Sequence, residues 1–137
     1  MRTQLMKGLF NYEKAYRTYT QACLEEFVKD NIQYAEIRPN FMETNQVWND
    51  TGDGQFDNEK TLEFITDEYQ KFQDTHKRAV LKGLKIIYCT PRSFAPKQIE
   101  KSLQECLEFK LSLKYRDFIA GEHLTHHPGY SAACKSD

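Results

Sequence analysis

Long apolar runs are missing from this sequence. No stretch approaches the roughly 18 consecutive apolar residues that a membrane-spanning helix needs. No basic start leads into an apolar stretch, so no signal peptide is expected. An excess of one charge sign is missing too: Lys and Arg total 19, Asp and Glu 20, for a formal net charge of -1. That balance gives no electrostatic reason to expect nucleic acid or an anionic membrane as a partner. The four cysteines, Cys23, Cys89, Cys106 and Cys134, contain no Cys-x-x-Cys pair, which removes the zinc-ribbon and thioredoxin-type readings. Internal repeats and low-complexity segments are absent as well.

What is present is enough for one domain. The chain has 137 residues, 39% of them hydrophobic and 28% charged, with a mean hydropathy of -0.75. Aromatic residues make up 13%, including eight Tyr and nine Phe, which sets it apart from disordered polar chains.

Hydrophobic periodicity orders the chain. Tyr12, Tyr16, Tyr19, Cys23 and Phe27 recur in steps of three and four, predicting a helix from about Tyr12 to Lys29 that Asp30-Asn31 ends. Asn11 is the expected N-cap. Ile32 to Arg38 reads as a short strand stopped by Pro39. Residues 40–58 form a long Asn-, Asp- and Gly-rich loop around Trp48, a length that often marks a lid or mouth. A second helix is expected from about Asn58 to Lys77, with Leu62, Ile65, Tyr69 and Phe72 on one stripe and Lys77 and Arg78 suiting its negative end. Gly83 to Cys89 is the second strand, stopped by Pro91. Pro96 suits the first turn of a third helix that reaches about Lys114. A third strand starts at Asp117-Phe118-Ile119-Ala120-Gly121 and is expected to go no further. The alternation implies α/β architecture with parallel strands and right-handed crossovers, as an open doubly wound sheet or as part of a barrel.

Candidate chemistry is sparse. Glu36 and Arg38 share a strand face near its carboxyl end, where barrel active sites gather; an internal ion pair or a solvated edge is the plainer reading. His123, His126 and His127 resemble a zinc cluster in residue type, but Pro128 and Gly129 follow at once and no helical pattern surrounds them, so a weakly metal-binding tail is expected. His76 is read as a partly buried structural histidine. Thr90-Pro91-Arg92-Ser93 follows a strand, where a phosphate loop can lie, yet has no Gly-rich cradle. Buried free thiols are expected for the cysteines. Asn49-Asp50-Thr51 is a glycosylation sequon in a polar loop.

Three segments resemble one family. Tyr34-Ala35-Glu36-Ile37-Arg38-Pro39, then Gly83-Leu84-Lys85-Ile86-Ile87-Tyr88-Cys89-Thr90-Pro91-Arg92-Ser93, then Phe118-Ile119-Ala120-Gly121 are similar to successive barrel strands of the adenosine deaminases. The resemblance points to the secreted growth-factor-related branch and, within it, to fungal members. Leu24 to Asn31 and Glu105 to Lys110 fit the same pattern. The resemblance implies a zinc-dependent (β/α)8 barrel that hydrolyses adenosine to inosine and ammonia. In that family zinc is held by a His-x-His, a later histidine and a late aspartate, and lowers the pKa of its bound water. A glutamate on a His-Ala-Gly-Glu-like turn and another histidine move protons. None of these groups maps onto this chain, so zinc belongs to the parent family and is not expected here.

The resemblance therefore implies a partial TIM barrel: residues 1–121 as about strands two to four, and 122–137 as an irregular tail out of register with the family. It implies a fragment inactive by itself, adenosine as the complete member's substrate, Glu36 as the one substrate-binding residue with a counterpart here, and an extracellular location, with a cytoplasmic one left open. Two alternatives stay open beside it. One is a small autonomous α/β binding module without catalysis; the other is a homo-oligomer or a complemented fragment that completes the sheet.

Overall fold

The computed structural model describes residues 7–42, 46–91 and 93–125. A short helix α1 (Lys7–Phe10) precedes α2 (Glu13–Lys29), β1 (Tyr34–Ile37), α3 (Asn58–Thr75), β2 (Gly83–Pro91), α4 (Pro96–Leu111) and β3 (Ile119–Thr125). The three strands lie in the order β1-β2-β3, and both pairs are parallel. The α/β alternation read from the sequence is therefore the fold. Among the described residues no helix is long and apolar enough to cross a membrane.

Burial decides between the two sheet types left open by the sequence. Along β2, Leu84, Ile86, Tyr88 and Thr90 are buried, whereas the residues between them are half-exposed. Ala35 of β1 and Ile119 of β3 join the same buried set, together with Leu24 of α2, Leu62, Ile65, Tyr69 and Phe72 of α3, and Cys106 and Phe109 of α4. All three long helices thus cover one face and leave the other open. A doubly wound sheet would be covered on both sides; helices on one face only match an arc of a β/α barrel.

Local chemistry explains most element ends. Helix α2 closes as a Schellman motif: Asn31 takes a positive φ of 57°, its N–H donates to Val28 O at 3.0 Å, and the Ile32 N–H donates to Phe27 O at 2.8 Å. This claims Ile32 for the helix end, so β1 starts later than expected, at Tyr34. Helix α3 is capped by Asp57, whose side chain accepts from Lys60 N at 2.8 Å. It ends at Thr75, with His76 as C-cap, so Lys77 and Arg78 fall beyond the helix that they were expected to end. Pro96 does open α4, which stops at Leu111, three residues before the expected end.

The start of α2 departs from the sequence reading. Tyr12, not Asn11, is the N-cap, and it supplies no side-chain hydrogen bond. Asp50 from the long loop accepts the Lys14 N–H instead, at 3.0 Å. Trp48 ties that loop down, donating its N–H to Asn11 O at 2.6 Å and accepting from Glu13 N at 2.9 Å. Replacing Asp50 with Ala is expected to cost about 1 kcal/mol, the size of a lost cap, measured by urea unfolding; Asp50→Asn should restore most of it.

The third strand is the main correction. It was expected to stop at Gly121, yet β3 runs to Thr125, with Glu122, His123, Leu124 and Thr125 in register with Tyr88, Cys89, Thr90 and Pro91. The physical reason lies in β2. That strand was expected to end at Cys89 but continues through Thr90 and Pro91, which adds two partners, for Leu124 and Thr125, to the Tyr88 and Cys89 that already face Glu122 and His123. A register shift between Ile86 and Ile87 takes up one extra residue of β3 near Ala120. Asp117 and Phe118 belong to the preceding turn, where Phe118 N donates to Tyr115 O at 2.8 Å. Residues 126–137, including His126, His127 and Cys134, lie outside the described residues.

Candidate functional site

The open sheet face and the carboxyl ends of the strands are where the sequence placed its candidates. In register pairs of a parallel sheet both side chains leave by the same face, so Tyr34 stands beside Gly83 and Glu36 beside Lys85. Tyr34 and Glu36 are exposed on the open face, opposite the buried Ala35. The Tyr34 hydroxyl donates to Glu36 Oε1 at 2.7 Å, and Glu36 beside it raises the phenol above its ordinary pKa of 10.0. Lys85 does not pair with Glu36. Its ammonium donates to the Asp117 carbonyl.

Arg38 follows beyond the end of β1, and no ion pair between it and Glu36 is found among the described residues. Its charge acts on Cys89 instead: burial raises that thiol, and Arg38 opposes the rise. Asn40 makes an isolated parallel bridge to Cys89, so the chain after β1 continues across the top of β2. Behind this edge lies a cavity of about 350 Å³ between α2 and β1, lined by Tyr16, Cys23, Phe27, Arg38 and Asn40 among others. It is mostly apolar and belongs to the helix side of the sheet, away from Glu36.

The structure also assembles a polar network that the sequence reading missed. Asn58, 5% exposed, and Tyr88, 1% exposed, meet the Glu105 carboxylate beneath the aromatic ring of Phe41. Asn58 Nδ2 donates to Phe41 O at 2.9 Å and to Glu105 Oε2 at 2.9 Å. The Tyr88 hydroxyl donates to the same Glu105 oxygen. Burial first, and then Glu105, keep the phenol of Tyr88 protonated, well above its ordinary value. The signal was available: Tyr88 falls on the buried parity of β2, where a hydroxyl needs a partner. Beside the network lies a cavity of about 280 Å³ between the β1–α3 connection and the first half of α4.

The remaining candidates do not converge. Thr90 is a buried strand residue whose hydroxyl donates to Glu122 at 3.0 Å, so the expected Thr90–Ser93 loop begins inside the sheet; Arg92 lies outside the described residues. His76 is structural, as expected, but exposed: its ring stacks on Phe72 at 4.5 Å at the end of α3. His123 lies in β3 in register with Cys89. Cys23, Cys89 and Cys106 are free thiols, with Cys106 buried and the other two half-buried.

The described donors do not form a zinc site. Among the described residues no three His, Cys, Asp or Glu side chains are grouped to hold a metal ion. Burial pushes the Cys106 thiol up to about 11 and also raises Cys23 and Cys89, so all three stand as protonated thiols near neutral pH. No catalytic step through a metal is derived for this chain.

The sequon is occupied by the fold itself. Asn49 Oδ1 accepts from Gly52 N at 2.8 Å and Asp53 N at 3.1 Å, and Asn49 Nδ2 donates to Asp53 Oδ1 at 2.5 Å. Both ends of the amide that a glycan would modify are engaged in closing the turn. Expression through a secretory pathway is therefore expected to leave Asn49 unmodified, as read by intact mass with and without glycosidase.

No protein-family model matches the chain. Human adenosine deaminase 2 is 30% identical to it over 122 residues, which is 89% of this chain and 22% of the human protein. Adenosine deaminase 2 of Pongo abelii is 30% identical over 116 residues, 85% of this chain and 21% of that protein. The chain spans about a fifth of the length of these curated relatives. Its successive parallel strand–helix units thus make up a chain similar, over nearly its whole length, to one part of adenosine deaminase 2.

Proposed function

We propose that this chain is a segment of an adenosine deaminase-like hydrolase, supplying successive β/α units of its barrel and no catalytic group of its own. The observation that carries the reading is the 30% identity over 122 residues, which covers most of a fold whose helices occupy one face of a parallel sheet. A barrel of this type takes about 250 residues. The zinc ligands and proton-transfer groups of the family would come from other parts of such a protein. Adenosine is the substrate of the complete enzyme in this reading, with Glu36 turned toward it from the open face, and the location is extracellular. Residues 1–121 are the portion that keeps the family pattern and residues 122–137 the stretch where it is lost, although β3 itself continues the sheet to Thr125.

The test on the isolated chain follows the absorbance of adenosine in the presence of added zinc. No conversion above a zinc-only blank is expected, and turnover that saturates with adenosine would sink the proposal.

One further reading, self-association, is favoured by a separate observation. Leu103, Leu107, Leu111 and Leu113 are exposed at 44%, 46%, 80% and 82%, and β1 and β3 are both edge strands. Apolar surface beside unpaired edges promotes pairing with another chain.

A further inference from the structure

We propose that Tyr34 is a positioning residue for Glu36, fixing its carboxylate on the open face with Oε2 left for a nucleoside hydroxyl. This rests on the reading of Glu36 as the nucleoside contact.

Three observations carry it. First, Tyr34 and Glu36 are two residues apart on one strand, so they leave by the same face, and the phenol donates to Oε1 at 2.7 Å. Second, the approach depends on the neighbouring strand having no side chain at its register partner. A Cβ at Gly83 would stand 2.7 Å from Tyr34 Cδ2 and 3.4 Å from Cε2, so the ring lies across the bare backbone of β2. Third, among the described residues no other side chain donates to the carboxylate. Lys85, the register partner of Glu36, gives its ammonium to the Asp117 carbonyl.

A half-exposed tyrosine in a strand normally contributes packing. Here its ring covers a glycine, and its hydroxyl is spent on a carboxylate that would otherwise sample several rotamers. A carboxylate held in one rotamer loses less freedom on binding a ligand.

The experiment is NMR on the full chain, comparing Tyr34→Phe and Gly83→Ala with the parent. Gly83→Ala keeps both functional groups and displaces the ring, so it serves as an independent second variant. In the parent, three-bond couplings should show one dominant Glu36 χ1 rotamer, and Glu36→Gln should bring the Tyr34 phenol titration down toward 10.0. Both Tyr34→Phe and Gly83→Ala should average the Glu36 rotamers while backbone shifts outside β1 and β2 stay in place. A Glu36 side chain that keeps its single rotamer in both variants overturns the proposal.

Adenosine titration is the second arm, with binding expected to weaken about fivefold in Tyr34→Phe, the size of one hydrogen bond. Rotamer averaging together with unchanged adenosine binding in Glu36→Gln would uphold the positioning role and defeat the nucleoside reading of Glu36. The two failures are thus distinguishable.

Discussion

Replacing Arg17 with methionine is expected to destabilise the chain by about 3 kcal/mol. Glu68 of α3 is 1% exposed, and it is held by three donors: Arg17 Nη1 at 2.8 Å, Lys71 Nζ at 2.8 Å, and Gln21 Nε2. Arg17 and Gln21 come from α2, so this carboxylate is the main polar link between the first two long helices. The Arg17 guanidinium also lies over the Phe64 ring, 4.3 Å from its centroid. Removing the arginine leaves a buried carboxylate with the exposed Lys71 as its one cation among the described residues, and it removes the cation–π contact. Urea unfolding followed by the fluorescence of Trp48, the one tryptophan, measures the loss. Adding Glu68→Leu to Arg17→Met should recover most of it, because an apolar pair leaves no buried charge without its partner.

The same cluster sets a pH dependence. Burial pushes the Glu68 carboxyl up, but hydrogen bonds from Lys71, Gln21 and Arg17 outweigh it and hold the group below its usual 4.5. A carboxyl lowered in the folded state binds fewer protons there than in the unfolded chain. Its contribution is therefore fully present above about pH 4.5 and is lost as pH falls through the lower folded value. Unfolding midpoints measured from pH 6 down to pH 3 should fall for the parent and fall less steeply for Glu68→Gln.

A loss of about 2–3 kcal/mol is expected from Asn58→Leu. Its amide supplies donors to the Phe41 carbonyl and to Glu105, and leucine removes both, leaving Glu105 with the Tyr88 hydroxyl alone and the Phe41 carbonyl without its side-chain donor. Tyr88→Phe should cost less, about 1 kcal/mol, since Asn58 still satisfies Glu105. The two side chains share one carboxylate oxygen, so a double-mutant cycle should show coupling of about 0.5 kcal/mol or more. Strict additivity would show that the three groups do not act as a unit. Asn58 opens α3, Tyr88 lies in β2 and Glu105 in α4, so the network joins three elements at the carboxyl end of the sheet. Hydrogen exchange at Phe41 and Met42 is expected to quicken in Asn58→Leu, since the connection after β1 loses its side-chain anchor.

Elements with strong local signals were legible in the sequence. The Tyr16–Cys23–Phe27 face, Asp30-Asn31 and Pro96 place two helices, and the apolar run within Gly83 to Cys89 places the central strand. Boundaries set by partners were not. β3 runs on to Thr125 because β2 offers it a ladder through Pro91, and no local pattern in Glu122-His123-Leu124-Thr125 announces that. Asp50 caps α2 from 36 residues away, a contact that exists only once the loop has docked. The long loop is held by Trp48 against the start of α2, an anchor that periodicity does not reveal. Of the candidate pair, Glu36 was placed on the expected face, but its partner is Tyr34 and not Arg38. The Asn58–Tyr88–Glu105 network joins residues 17 to 47 positions apart, and only its need for partners, not their identity, was visible.

Sequencing the transcript and its genomic locus on both sides of these codons tests the proposed segment of a larger hydrolase most directly. The expected result is an upstream His-x-His in a strand pattern and, downstream, a His-Ala-Gly-Glu-like turn and a late acidic pair, in a frame continuous with residues 1–121. Flanking sequence that closes the message on both sides without any of these motifs would contradict it.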